Sequence, residues 1–245
     1  TGDLTPKVQT LVYHNIGLSY QASEEFDSAG FYFSKAENEI ENVGKERLLL
    51  KIQNINYRAD LDLTTGNLEM LPKYYSMIEY LYGILDKLFL KFDNVVVKKY
   101  QDNSRIDYYS NMISSKLFMS DYYFYNEDNE ESLALLSDAV ALAKNIDDKY
   151  LLTKIYYKLN EVYIYQNDFR TADMYLDSLL LCMDKECPDY EFLSRVYSQK
   201  VNITNMSGEK DTAEKYRLLL EKYLDSLDFE QNSIALLHGR IELAF

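Results

Sequence analysis

An all-α fold, about five antiparallel helix pairs plus a terminal helix in a single domain over residues 1–245, follows from three features of the sequence. Glycine (8) and proline (3) are too scarce to punctuate the many short strands of a sandwich or barrel. Hydrophobic residues make up 47% of the chain, enough for a sizeable core. A pattern of small and aromatic residues at helical spacing also returns along the chain, with copies beginning near residues 10, 52, 113, 153 and 194.

The first copy carries the pattern most completely. Tyr13, Ile16, Gly17, Tyr20, Ala29, Phe33 and Ala36 fall at offsets 0, 3, 4, 7, 16, 20 and 23. This resembles the tetratricopeptide repeat (TPR) signature: large, Leu-like, small and aromatic on one helix, then Ala, aromatic and Ala on a second. The resemblance gives Gly17 a purpose. A glycine inside a helix costs about 1 kcal/mol relative to alanine, and two helices that cross closely need a small residue where they meet. Gly17 admits the second helix, and Ala29 answers it from the other side.

The second copy is the weakest, with Ala59, the turn Thr65-Gly66-Asn67, Leu68 and Tyr75. A surplus between Leu81 and Asn103 then stretches the spacing to 61, against 40 to 42 for the other three. It reads as a lengthened second helix, bent at Gly83, and a short connector. Its dense apolar content suits either core or a docking surface for another subunit around Phe89 and Phe92. The third copy offers Ser120, Tyr123, Leu136 and Ala139. The fourth has Tyr156, Leu159, Asn160, Tyr163, Phe169, Ala172 and Leu176, and the fifth Tyr197, a turn at Ser207-Gly208, Ala213 and Leu220. Ser23, Thr65, Asn126, Asn167-Asp168 and Ser207 are expected to cap the second helices. Residues 229–245 read as a terminal helix over the last repeat or the first helix of a sixth. The chain starts at Thr1 without a secretory pattern and stops inside a helical pattern, as expected of a fragment of a longer protein. The compartment is left open between cytoplasm and periplasm.

Composition narrows the chemistry. The formal net charge is −14, with 40 acidic against 26 basic residues. No basic face points to nucleic acid, and no 18-residue uncharged apolar run points to a membrane span. His14 and His238 are the only histidines and lack a partner at helical spacing. No zinc-ligand set, phosphate-cradling glycine loop or nucleophile elbow is present, so no cofactor, metal or catalytic residue is expected. Cys182 and Cys187, in CMDKEC, read as incidental thiols, or as a bridge if the helix breaks between them. Asn202 and Asn205 head N-glycosylation patterns inside a predicted helix, which argues against their use.

The TPR resemblance implies a non-enzymatic module that holds a peptide or protein segment in a concave groove lined by first helices. Its contact positions are the second, fifth, ninth, twelfth and thirteenth of each repeat. They place His14, Asn56, Asp60, Asp121, Tyr125, Lys154, Tyr157, Glu161, Tyr165, Arg195, Asn202 and Asn205 on that groove. Asp60, Asp121 and Glu161, at the ninth position of successive copies, form an acidic ridge suited to a basic ligand, or fall there by coincidence in an acidic chain. Asparagine amides match a peptide backbone, and tyrosines supply flat contacts with polar tips. Lys154 and Arg195 suit a carboxylate. The long repeats also resemble those of bacterial regulators, including Bacteroidetes types, in which such a region is sensory or scaffolding. The alternative is a structural scaffold or self-association domain that forms a homodimer. An enzyme is the least favoured reading.

Overall fold

Polar turns divide the chain into ten α-helices among the described residues, with no strand. They are α1 (Pro6–Ala22), α2 (Phe26–Ile40), α3 (Arg47–Thr64), α4 (Leu71–Lys91), α5 (Gln101–Tyr125), α6 (Asn129–Asn145), α7 (Lys149–Tyr165), α8 (Phe169–Cys182), α9 (Tyr190–Met206) and α10 (Lys210–Glu242). A 3-10 turn, Leu68–Met70, leads into α4. The computed structural model describes residues 4–44, 46–91, 101–183 and 189–242, and only the backbone of 88–91, 101–105 and 229–242.

The helices pair as the repeat predicts, α1 with α2 through α9 with α10. With each copy counted from residue 10, 52, 113, 153 or 194, position 15 is left-handed in all five turns. It is Glu24 (φ 61°), Gly66 (79°), Glu127 (63°), Asn167 (61°) and Gly208 (79°). The next amide closes each turn on the carbonyl of position 11: Glu25 on Tyr20 at 2.9 Å, Asn67 on Asp62 at 2.7 Å, and Asp128 on Tyr123, Asp168 on Tyr163 and Glu209 on Thr204 each at 2.9 Å. This is the helix-ending geometry that favours Gly or Asn. It pins the register even in the second and third copies, where consensus residues are few.

Position 8 is buried throughout: Gly17, Ala59, Ser120, Asn160 and Val201. At Gly17 a Cβ would stand 2.5 Å from Cε1 and 2.8 Å from Cδ1 of Phe33, so the ring of α2 occupies the space that glycine leaves. Asn160 meets the same crossing differently: its Nδ2 donates to the Ala172 carbonyl of α8 at 3.1 Å. Positions 11 and 23 also meet within pairs. Tyr20 stacks on Tyr32 at 5.5 Å and Tyr163 on Tyr175 at 5.5 Å, and in the second copy the Tyr74 hydroxyl donates to Asp62 at 2.9 Å. Many of the 24 tyrosines are therefore spent inside pairs, as amphipathic packing residues.

The sequence suggests one domain over 1–245; the chain falls into two compact units, Thr1–Leu151 and Leu152–Phe245. In the first, Ile52, Ile55, Ala59, Leu71, Ile78, Phe118 and Met119 form a core among α3, α4 and α5. In the second, Ala172, Leu176, Leu179, Val196 and Ile203 join α8 to α9.

Three details differ from expectation. Ser23, Thr65 and Ser207 close the first helices instead of opening the second ones, and Asn126 bonds back to the Tyr122 carbonyl. Asp168 caps α8 as expected, accepting from the Thr171 amide, but α6 is capped by Asp128, which accepts from the Glu131 amide. The terminal segment is no separate helix as far as Glu242, because α10 runs unbroken from Lys210. The lengthened second helix of the second copy is α4, which reaches Lys91. The side chain of Phe89, all of Phe92 and Cys187 lie outside the described residues.

Candidate functional site

Burial sorts the expected groove residues into interior and surface. In the first unit, His14 is only 1% exposed. Its Nε2 bonds Asn54 Oδ1 on α3 at 3.0 Å, and Tyr57 packs edge-on at 5.0 Å. Burial holds its pKa down at about 4 against the opposing bond to Asn54. His14 therefore joins α1 to α3 and is not groove lining. Asn56 is also buried; its Nδ2 donates to the Asn111 carbonyl at 2.9 Å and ties α3 to α5. Both residues lie between neighbouring first helices, where the fifth position points in copies one and two.

The acidic ridge is not continuous. Asp60 is exposed and accepts from Gln21 Nε2 at 2.7 Å. Asp121 is buried, so the middle member is not offered to a ligand. Glu161 is half-buried and belongs to the other unit. A ninth-position side chain leaves a first helix near the boundary between core and surface, and small differences in neighbours decide which side it takes. Tyr125, at position 13 of the third copy and the last residue of α5, is 62% exposed.

In the second unit two of the expected residues, Tyr157 and Arg195, pack on one ring, Phe192. Tyr157 on α7 is half-buried; its hydroxyl accepts from Gln199 Nε2 of α9 at 3.0 Å, and its ring packs against Phe192 at 5.6 Å. Arg195 lies over Phe192, 5.6 Å from the ring centre. Burial raises the Tyr157 pKa and Glu161 adds to this, while Arg195, Lys158 and the Gln199 bond act against it. The phenol is thus neutral, and a cation and an anion flank it. Gln199 Oε1 has no hydrogen-bond partner among the described residues, although it is buried. On the same two helices Lys154, Tyr165, Asn202, Asn205 and Met206 are exposed. Chemically, the surface provides cations, amides and aromatic faces, the means to hold a polypeptide by hydrogen bonds and stacking.

Sequence reasoning missed Lys200, at the Leu-like seventh position of copy five. It is 1% exposed, and its ammonium meets Asp173 at 2.6 Å and Asp177 at 2.8 Å on α8. The Tyr216 ring lies 4.8 Å beneath. The signal was available: a lysine where the pattern wants leucine, with two aspartates four apart on the preceding helix. Among the described residues no group of His, Cys, Asp and Glu is arranged to hold a metal. No described helix is long and apolar enough to cross a membrane.

No protein-family model and no curated protein sequence matches the chain. Solved structures do. The chain is similar to a Rap protein complexed with competence and sporulation factor, with 15% identity and a TM-score of 0.67 over 90% of this chain and 55% of that one. It is similar to BtubC from P. vanneervenii, with 11% identity and a TM-score of 0.65 over 92% and 93%. It is also similar to the apo form of RapI, with 13% identity and a TM-score of 0.65 over 91% and 73%. The chain spans about half the length of the first of these. At such identities the likeness concerns fold, and the fold is all-α with TPR-like helical repeats.

Proposed function

We propose that the chain is a non-enzymatic binding module, the sensory or scaffolding part of a larger bacterial regulator, that holds an extended protein or peptide segment against the first helices α7 and α9. One observation carries this reading: the Tyr157–Phe192–Arg195–Gln199 cluster, with an unpartnered buried amide oxygen in it and Tyr165, Asn202, Asn205 and Met206 exposed on the same two helices. The core does not require an arginine over a phenylalanine or a tyrosine bridged to glutamine at this surface. Aromatic and arginine side chains are the usual energetic anchors of interfaces. With Asp121 buried, a basic ligand loses its main support. The exposed Lys154 and Arg195 favour a segment that brings a carboxylate, and the asparagines suit its backbone amides. The resemblance of fold to a Rap protein solved with competence and sporulation factor agrees with such a role.

The test is selection of a displayed random dodecapeptide library on the whole chain, with calorimetry of the enriched peptides. Arg195→Ala and Tyr157→Phe are each expected to weaken binding about tenfold, roughly 1.4 kcal/mol, while Lys215→Ala on α10 leaves it unchanged. Enriched peptides that bind the first two variants as tightly as the parent would remove this surface from the account.

A further inference from the structure

One face of α10 departs from every other second helix. At positions 24, 27 and 31, α2 buries Phe33, Ala36 and Ile40 at 0, 0 and 1% exposure, and α6 buries Leu136, Ala139 and Ala143 at 1, 0 and 0%. On α8, Leu176 and Leu179 at the first two positions are both at 0%. The same positions of α10 hold Arg217, exposed, Leu220, half-exposed, and Leu224, 43% exposed. In earlier pairs these positions lie against the next first helix: Phe33 stacks on Tyr57 of α3 at 5.7 Å, and Leu176 and Leu179 pack with Val196 and Ile203 of α9. Among the described residues none after Leu224 folds back over the face, because α10 continues to Glu242, about 27 Å further on at the helical rise.

Charge identifies what the face fits. On α2, Glu37 and Glu41, at positions 28 and 32, receive Arg58 and Lys51 of the incoming α3 at 2.6 and 3.1 Å. On α8, Asp173 and Asp177 receive Lys200 of the incoming α9. On α2 and α8, then, acids of the second helix are answered by bases of the next helix, whereas Asp138 of α6 meets Lys116 of its own first helix. On α10, Glu214, Glu221 and Asp225 occupy three of the same positions, 21, 28 and 32, and all are exposed. Glu214 is paired with Arg217 one turn on.

We propose that this face of α10 docks a basic amphipathic helix of a partner protein, laid across Leu220 and Leu224 with Lys or Arg against Glu221 and Asp225. A second copy of this chain fits poorly. Where α3 brings Lys51 and Arg58 and α9 brings Lys200, α1 brings Gln9 and Ile16, no base at either position, and its Lys7 is already paired with Glu46. Two α10 faces would set acid against acid, which interfaces avoid. The surface is separate from the α7–α9 face and stands without it.

The probe is a fluorescein-labelled, lactam-stapled peptide of the α3 sequence, Arg47–Thr64, titrated into the whole chain by fluorescence anisotropy. Saturable one-to-one binding is expected. Leu220→Asp with Leu224→Asp should weaken it at least tenfold. Glu221→Lys with Asp225→Lys should weaken it similarly and regain affinity for a peptide with Lys51→Glu and Arg58→Glu. Arg195→Ala should leave it unchanged, which separates this surface from the first. All substituted positions on α10 are at least partly exposed, and circular dichroism checks that the variants remain folded. Absence of binding, equal binding by the variants, or a dimer in light scattering that Leu220→Asp with Leu224→Asp dissociates would each overturn the proposal.

Discussion

Gly17 shows how one missing side chain can be required. Alanine there would gain about 1 kcal/mol of helix propensity, yet its Cβ would lie 2.5 Å from the Phe33 ring. That ring is fully buried and stacked on Tyr57, so it cannot swing clear. Overpacking of this kind costs about 1–3 kcal/mol. Gly17→Ala should therefore destabilise the chain, by up to about 2 kcal/mol in urea unfolding, and Phe33→Leu in the same chain should recover part of it. Additive losses would show that the contact is not the cause. His14 makes a second residue-scale statement. Its folded pKa, about 4, lies below the ordinary 6.5 because it is buried. Between these values the unfolded chain binds a proton that the native chain refuses, so stability falls as pH drops from 6.5 through 4. Relative to His14→Gln, which keeps a donor for Asn54, the parent should lose about 3 kcal/mol across that window. Parallel stability curves would mean that His14 is not buried as described. Neither the burial of His14 nor that of Asp121 was legible beforehand. The repeat pattern tells which helix face a residue occupies. It does not tell whether the next helix reaches far enough to cover it.

At the scale of elements, the pairing was legible because two local features recur at fixed offsets: a small or hydrogen-bonding residue at position 8 of the first four copies and a left-handed residue at position 15 of all five. Gly66, Asn167 and Gly208 advertise the second openly, whereas Glu24 and Glu127 adopt it without any sequence signal. The helix caps were misread for a related reason. Ser23, Thr65 and Ser207 are good capping residues, but the left-handed turn falls after them, so they close one helix before the next begins. One contact between α9 and α8 was also hidden, that of Lys200 with Asp173 and Asp177. Burial alone pulls that ammonium's pKa down, but bonds to Asp173 and Asp177 outweigh it and the net shift is upward. Its contribution to stability is therefore complete below about pH 10.5 and fades as pH rises through the higher folded value. Asp173→Ala with Asp177→Ala strands a buried cation and should cost about 3–5 kcal/mol. Lys200→Met keeps the packing and leaves two carboxylates that solvent can reach, so it should stay within about 1 kcal/mol of the parent. A Lys200→Met loss as large as the double aspartate loss would show that the ion pairs, and not the avoided desolvation, hold the helices together.

Across the whole molecule, helical repeats make mostly local contacts, and stability is then close to a sum of terms from each pair and its neighbours. The sequence starts a new copy near residue 153 but marks that boundary no differently from the others; the division emerges in the structure. Ile78 belongs to the cluster among α3, α4 and α5, and Leu176 to the cluster of α8 and α9. Both are fully buried, so truncation to alanine should cost about 2–5 kcal/mol at either site. The two clusters share no member, and the losses should be felt locally. Under native conditions, amide exchange in Leu176→Ala should accelerate through α8 and α9 while α3 and α4 keep the protection of the parent. Ile78→Ala should give the opposite map. If either substitution raised exchange uniformly from α1 to α10, the chain would open as one cooperative body and the additive picture would fail. If each map stays within its own cluster, a ligand held on α7 and α9 would stabilise those helices without altering protection in α3 and α4.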